Sequence, residues 1–343
     1  MSKVEHPLVS IVILNYNGKP FLDKCLTSLF NQTFSDFEII FFDNASTDGS
    51  VNYLKQQFGN DDRLKIVENP VNSGPLEGNN IGMRLSDCSS KYILLLNNDT
   101  ELTSDWLSCM VAASENDPSI GAACSKQLLM DDHKKLQGFG SFIDPYGFNY
   151  QLGEFQIDKG QFDGRTIEIF AGGTTALLLR KSLLKQIGLL DSHYVHGFDD
   201  VDLCWRIWLS GHKVVCVSSC RMYHKIAGTT SKVKLANVVF HREKNRIMTC
   251  IKNYSFTTQI RILPQVLTFD SIQLTWFLFT NNFPMFRAIS QALLWDLKHF
   301  KYMWAQHLRI KNFVRKVSDE EIIRHMLKFN FVELRRRIRG LST

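Results

Sequence analysis

Two short, almost unbroken apolar runs each end in an aspartate. Phe37–Phe42 is closed by Asp43, and Tyr92–Leu96 leads through Asn97-Asn98 to Asp99. A run this short and this apolar has the length of a strand buried on both faces. An acid just past its end lies at the carboxyl edge of a sheet, where open α/β folds bind ligands. Val9–Leu14 is a third run of the same kind, followed by the turn Asn15-Tyr16-Asn17-Gly18, and Leu64–Val67 is a shorter fourth. Between them, Phe21, Leu22, Cys25, Leu26 and Leu29 recur at helical spacing, and a second helix is expected around Leu76–Leu85. Strands alternating with helices predict an α/β fold, a mostly parallel sheet flanked by helices.

Beyond Lys126 the pattern changes. Residues 126–164 carry scattered glycines and aromatics and read as irregular hairpins. Residues 167–179 read as one strand interrupted at Gly172-Gly173, and glycine inside a strand marks close approach of another group to the backbone. Leu203–Leu209 reads as helix and Lys213–Val217 as strand. The charge divides unevenly. From Lys232 onward there are 20 Lys+Arg against 7 Asp+Glu, a net of +13, which leaves −7 for residues 1–231. Two parts are therefore expected: a catalytic α/β domain over 1–231 and a basic, mainly helical C-terminal extension over 232–343. Ser318 and Glu321 form a capping-box pattern that opens a helix carrying Ile322, Ile323, Met326 and Leu327, ahead of the run Arg335-Arg336-Arg337-Ile338-Arg339. Residues 262–280 are the most apolar stretch. They contain Pro264, Gln265, Asp270 and Gln273, and read as buried or interfacial, not as a span.

The acids suggest chemistry. A carboxylate at a strand end can hold a hard divalent cation against a diphosphate; Asp99 fits this, or it caps the helix beginning near Thr103. Asp43 can accept a hydrogen bond from a nucleobase imide, or close an Asx turn with Asn44-Ala45-Ser46. Asp199, Asp200 and Asp202 suit a helix N-terminus. They also suit general base chemistry, because clustered carboxylates raise one another's pKa and Tyr194 and Phe198 can shield the base. His224 follows a strand and can complete a metal site. The spacing His212, Cys216, Cys220, His224 invites zinc, but along a strand such residues do not converge. The eight cysteines show no disulfide-scaffold spacing, and Cys25 and Cys109 read as core. With no apolar signal region at the N-terminus, a reduced, cytoplasmic protein is expected.

Other classes fit less well. A nicotinamide oxidoreductase needs G-x-G-x-x-G where Asn15-Tyr16-Asn17-Gly18 stands. A sugar nucleotidyltransferase needs an early Gly- and Arg-rich loop. Nucleic-acid binding would explain the basic tail but not the acidic sheet edge, so no nucleic-acid partner is expected.

Taken in order, the segments Val9–Gly18, Asp43–Ser50, Asn79-Asn80-Ile81-Gly82, Leu95–Thr100 and Asp199–Arg206 resemble an inverting family 2 glycosyltransferase with the GT-A fold, over roughly residues 8–231. The closest flavour is the rhamnosyltransferase-like branch that builds surface polysaccharides. The resemblance implies a nucleotide-diphosphate sugar donor, dTDP- or UDP-linked, and a saccharide or lipid-linked acceptor. Asp43 would contact the donor base, with Leu14, Asn15 and Tyr16 lining the pocket and Asn79 and Asn98 beside the donor. Asp99 would coordinate Mg²⁺ or Mn²⁺, with His224 as second ligand. Asp200 or Asp199 would be the catalytic base, and Gly172, Gly173, Thr174 and Asp202 would border the acceptor. Two departures stand out. The DxD-type motif reads Asn97-Asn98-Asp99, with one carboxylate, and Asp199 replaces the more usual Glu. A non-catalytic nucleotide-sugar or carbohydrate-binding relative is the alternative. The basic tail would give peripheral contact with the inner face of the plasma membrane, or else form a solvated helical extension or an oligomer interface.

Overall fold

The computed structural model describes residues 6–225 and 235–329. The apolar runs become strands β1 (Val9–Asn15), β2 (Phe37–Asp43), β3 (Leu64–Glu68) and β4 (Tyr92–Asn97). Every residue of β2 is buried, as expected of a strand covered on both faces. Helices α1 (Lys19–Phe30), α2 (Ser50–Phe58) and α3 (Pro75–Arg84) connect them. Next come β5 (Thr100–Leu102), α4 (Trp106–Asn116), β6 (Ile120–Leu129), β7 (Leu136–Gly138), β8 (Ser141–Ile143) and β9 (Asn149–Gln151). They are followed by β10 (Thr166–Glu168), β11 (Ala176–Arg180), α5 (Lys181–Ile187), α6 (Asp199–Leu209) and β12 (Lys213–His224). The helices α7 (Leu235–Asn253), α8 (Phe256–Phe279), α9 (Phe283–Lys298), α10 (Phe300–Arg309) and α11 (Asp319–Arg324) complete the described chain.

The chain divides into two compact units that are not consecutive stretches. The first holds residues up to Ser141, then Gln151–Ser192 and the stretch from His212. The second holds Phe142–Tyr150, His193–Gly211 and the C-terminal helices. The helix α6, and with it Asp199 and Asp200, therefore belongs with α7–α11.

In the first unit, one mixed sheet runs in the order β10-β12-β6-β11-β4-β1-β2-β3, with β5 added to β12 and β7 to β6. The strands β4, β1, β2 and β3 are mutually parallel, and β11 inserts antiparallel between β4 and β6. The core lies between this sheet and its helices. Ile11, Ile13, Ile39, Phe41, Leu94 and Leu96 pack with Leu22, Leu26 and Leu29 of α1 and Trp106 and Met110 of α4. The alternate residues Val12 and Leu14 point to the other face, against α3. Burial of each large side chain contributes roughly 1.5–3 kcal/mol.

Register explains why the acids gather. Asn15 pairs with Asp43, and Leu14 with Asn97, so three strands end at one level. The antiparallel β11 starts where β4 stops, Ala176 opposite Leu96, so the loop before it reaches the same edge.

Three expectations change. Residues 167–179 are two strands, because the chain leaves the extended path at residues 169–175. The strand β10 then pairs with β12, while β11 pairs with β4 and β6. Cys109 is half-buried instead of core, and forms a disulfide with Cys220 of β12, so the expectation of eight reduced cysteines fails at this pair. A sequence separation of 111 hides the pairing from any local reading. Of the two readings of residues 262–280, buried or interfacial, the first falls away: they lie mostly in α8, and only 28% of its most apolar stretch is buried.

In the second unit, α7 is buried without interruption from Glu243 to Asn253. Ser318 does cap α11, its hydroxyl accepting from Glu321 N at 3.3 Å. Arg335–Arg339 lie outside the described residues.

Candidate active site

The edge of the first unit's sheet is built around Asn15. Its side chain is fully buried. Nδ2 donates to Asp43 Oδ1 at 2.8 Å and to Ser46 Oγ at 3.0 Å, while Oδ1 accepts from Asn98 Nδ2 at 2.7 Å. One amide thus ties the ends of β1 and β2 to the turn after β4. A Cβ at Gly18 would collide with both Asn15 Oδ1 and Asn98 Nδ2, so this bridge requires glycine there. Ser46 N donates to Asp43 Oδ2 at 2.9 Å, so Asp43 does close a turn. Each carboxylate oxygen still has a lone pair for a further donor, and the turn is compatible with recognition of a base. Leu14 is half-buried and Tyr16 is 47% exposed beside this edge.

The sequence reading missed Asn44. It is buried, with Nδ2 donating to Asn72 Oδ1 (2.9 Å) and Gly74 O (3.2 Å), and Oδ1 accepting from Ser73 N (2.9 Å). It fixes the loop leading to α3. Its place directly after Asp43, in a turn rich in polar residues, was the available signal. On α3, Asn79 is half-buried and donates to Pro75 O at 3.0 Å. Its neighbour Asn80 exchanges hydrogen bonds with the backbone of Leu190, at 2.8 and 3.0 Å.

Asp99 sits in the turn between β4 and β5. It does not cap the following helix: α4 starts at Trp106, and Asp105 is its N-cap residue. The β5–β12 ladder places His224 opposite Thr100 and so beside Asp99. His224 Nε2 is 3.2 Å from Asp99 Oδ1, with the two side chains 11% and 12% exposed. Gln137 Oε1 lies 2.8 Å from His224 Nδ1. That contact orients the ring so that Nε2 faces the carboxylate. Despite the short distance, the buried Oδ1 makes no well-formed hydrogen bond. One carboxylate oxygen and one imidazole nitrogen converging at a buried edge fit a divalent cation such as Mn²⁺. Among the described residues no third His, Cys, Asp or Glu joins them. Further positions would therefore fall to ligand oxygens and water. Gln137 carried no motif and was not singled out.

Gly172 is buried, and a Cβ there would meet Cys124 Cβ and Leu177 Cδ1 at 2.9 Å. Its glycine is explained by packing on β6 and β11. Gly173 and Thr174 are half-buried at the sheet edge, next to Thr175, whose carbonyl accepts from Asn97 N at 2.9 Å.

In the second unit, Asp199, Asp200 and Asp202 form the first turn of α6. The helix is entered through three consecutive residues with positive φ: His196 (57°), Gly197 (94°) and Phe198 (71°). A buried phenylalanine in this conformation is strained, and such strain clusters at functional sites. Asn245 of α7 holds the loop, donating to Val195 O at 2.9 Å and Gly197 O at 2.8 Å. A lone asparagine in a helix gave no sequence signal for this. Asp200 accepts from Val201 N at 2.8 Å. Burial, and then the neighbouring Asp199, push its carboxyl up to about 7.

Asp202, expected at the acceptor, corrects that reading. It is fully buried, and its carboxylate takes Arg206 (2.8 and 3.0 Å), Lys252 (2.9 Å), Asn253 (3.0 Å) and Tyr194 (3.3 Å). These partners occupy it, so it organises the helix bundle instead of meeting an acceptor.

The glycosyl transferase family 2 profile matches residues 10–188, just over half of the chain. The chain belongs to glycosyl transferase family 2. It is 33% identical over 116 residues to an uncharacterised glycosyltransferase of Haemophilus influenzae, covering 34% of this chain and 35% of that one. It is 32% identical over 106 residues to the GalNAc(5)-diNAcBac-PP-undecaprenol beta-1,3-glucosyltransferase of Campylobacter jejuni, covering 31% and 34%. The chain thus spans about a third of the length of these relatives. Among solved structures it resembles GalNAc-T7 with UDP, GalNAc and Mn²⁺, with a TM-score of 0.58 at 15% identity over 74% of this chain and 49% of that one. This family 2 member has a GT-A-like fold with a C-terminal helical region.

Proposed function

We propose that this family 2 protein is a metal-dependent inverting glycosyltransferase. It moves a hexosyl or rhamnosyl group from a UDP- or dTDP-linked donor to a saccharide or lipid-linked saccharide, in surface glycan synthesis at the cytoplasmic face of the membrane. The observation that carries the reading is the sheet edge of the first unit, where Asn15, Asp43, Asn98, Asp99 and His224 are held together by register and side-chain bonds. The Campylobacter relative, named for a lipid-linked acceptor, supports the acceptor class.

In this mechanism Asp43 accepts from the imide of the donor base, and Asn15 holds Asp43 in place. Asp99 and His224 would hold the metal, which when bound neutralises charge on the diphosphate. The acceptor hydroxyl attacks the anomeric carbon from the face opposite the nucleotide. The new C–O bond forms, the bond to the diphosphate breaks, and the hydroxyl proton passes to Asp200. The nucleoside diphosphate leaves. Burial, and then Asp199, keep the Asp200 carboxyl basic enough to take that proton near neutrality.

A thermal-shift panel of nucleoside diphosphates, each with and without Mn²⁺, tests the donor site, since a ligand that binds the native state raises the melting temperature. A Mn²⁺-dependent shift with UDP or dTDP is the expected result. No shift with any nucleotide would overturn the donor assignment.

A further inference from the structure

In the second unit, α8 leaves large apolar side chains outside while it buries polar ones. Its buried side carries Thr258, Gln259, Asp270 and Gln273 beside Ile262, Val266 and Phe277, while Ile260, Leu267, Ile272, Trp276 and Phe279 are exposed. A helix of a water-soluble domain keeps such a set of apolar residues on its buried face. Asp270 and Gln259 find partners on the buried side. Asp270 pairs with Arg246 of α7, and Gln259 Nε2 donates to Ile251 O and Tyr254 O at 2.8 and 2.9 Å. The outward hydroxyls are also satisfied within the helix. Thr268, Ser271, Thr275 and Thr280 each donate to the carbonyl four residues back, at 2.8–2.9 Å. Such back-bonding leaves the outer surface needing little from water.

Charge follows the same division. Both acids of α8 and α9, Asp270 and Asp296, are buried, whereas their basic residues Arg261, Arg287 and Lys298 are all exposed. No charged residue occurs between Asp270 and Arg287. Phe279 is 81% exposed and Phe283, which opens α9, 57%. At 24 residues, α8 is about 36 Å long, comparable with the roughly 30 Å apolar layer of a bilayer.

We propose that α8 and the Phe283 end of α9 embed in the apolar layer of an anionic lipid membrane, with Arg261, Arg287 and Lys298 at its headgroups. Acids and amides turned inward, large apolar groups and self-satisfied hydroxyls turned outward, and cationic exposed charge on these two helices match those surroundings. This attachment differs from a purely electrostatic one through the basic tail, and it is independent of the transfer reading, since it is read without turnover.

The test is flotation of the full chain with vesicles of phosphatidylcholine and phosphatidylglycerol. The chain is expected to float and to stay bound at about 1 M salt, where surface charge is screened within about 3 Å. The exposed double substitution Phe279→Ser with Phe283→Ser is expected to lower the bound-to-free ratio at least about tenfold, with the melting temperature unchanged. Quenching of tryptophan fluorescence by brominated lipid is expected to fall in Trp276→Phe. Failure to float, or complete release by salt, would overturn the proposal. So would a lipid-free dimer that the double substitution dissociates, which assigns the face to a second copy.

Discussion

Asp200→Asn is expected to bind a nucleotide-sugar donor with wild-type affinity and to lose transfer by at least about 10²–10⁴-fold, the usual contribution of a positioned general base. The amide keeps the size of the side chain, and its oxygen can still accept from Val201 N. What it lacks is a site for the acceptor proton. The same carboxyl sets the pH dependence. Burial and Asp199 raise it to about 7, so the ionised base is populated above that pH. Activity should therefore fall about tenfold per pH unit below it. Asp199→Asn removes the neighbouring charge, which lowers the Asp200 pKa and moves the acid limb to lower pH while retaining turnover. Full turnover in Asp200→Asn, or abolition only in Asp199→Asn, would transfer the role to the other aspartate.

The second large effect is expected from Asp99→Ala. Titration calorimetry of wild type with UDP should show tighter binding with Mn²⁺ than without, and the variant should lose that gain, about 10–100-fold or more, while its metal-free affinity stays the same. His224 supplies the second converging atom, so His224→Ala should behave alike but less severely. Gln137→Leu should weaken the metal effect without touching the nucleotide, because Gln137 orients the ring through Nδ1. Equal affinities with and without Mn²⁺ in the wild type would remove the metal from the account.

The strands were legible because each is a continuous apolar run, and buried strands leave no other signature. Their order alone places Asp43 and Asp99 at one edge. What remained hidden depends on partners far away in the chain. Asn15 looked like a backbone position, but its side chain is the bridge between Asp43 and Asn98. Asp202 looked like part of an acidic surface motif, but Arg206, one turn along, and Lys252, fifty residues on, enclose it. Gly172-Gly173 looked like an interruption in one strand, whereas the chain there passes from one side of the sheet order to another. Hydropathy singled out residues 262–280 but could not show that Asp270 and Gln273 face inward while Leu267, Ile272, Trp276 and Phe279 stay exposed, since that follows from the packing of α8 on α7 and α9.

The central claim is sugar transfer from a nucleotide donor, and release of nucleoside diphosphate measures it most directly. The purified full chain is incubated with UDP- and dTDP-linked sugars and Mn²⁺, with and without lipid-linked saccharide acceptors. Asp200→Asn serves as the matched control. Release by the wild type with one donor, stimulated by an acceptor and absent in Asp200→Asn, is the predicted result. Nucleotide binding without release from any donor would contradict it, and would make the chain a carbohydrate-binding relative built on the same sheet edge.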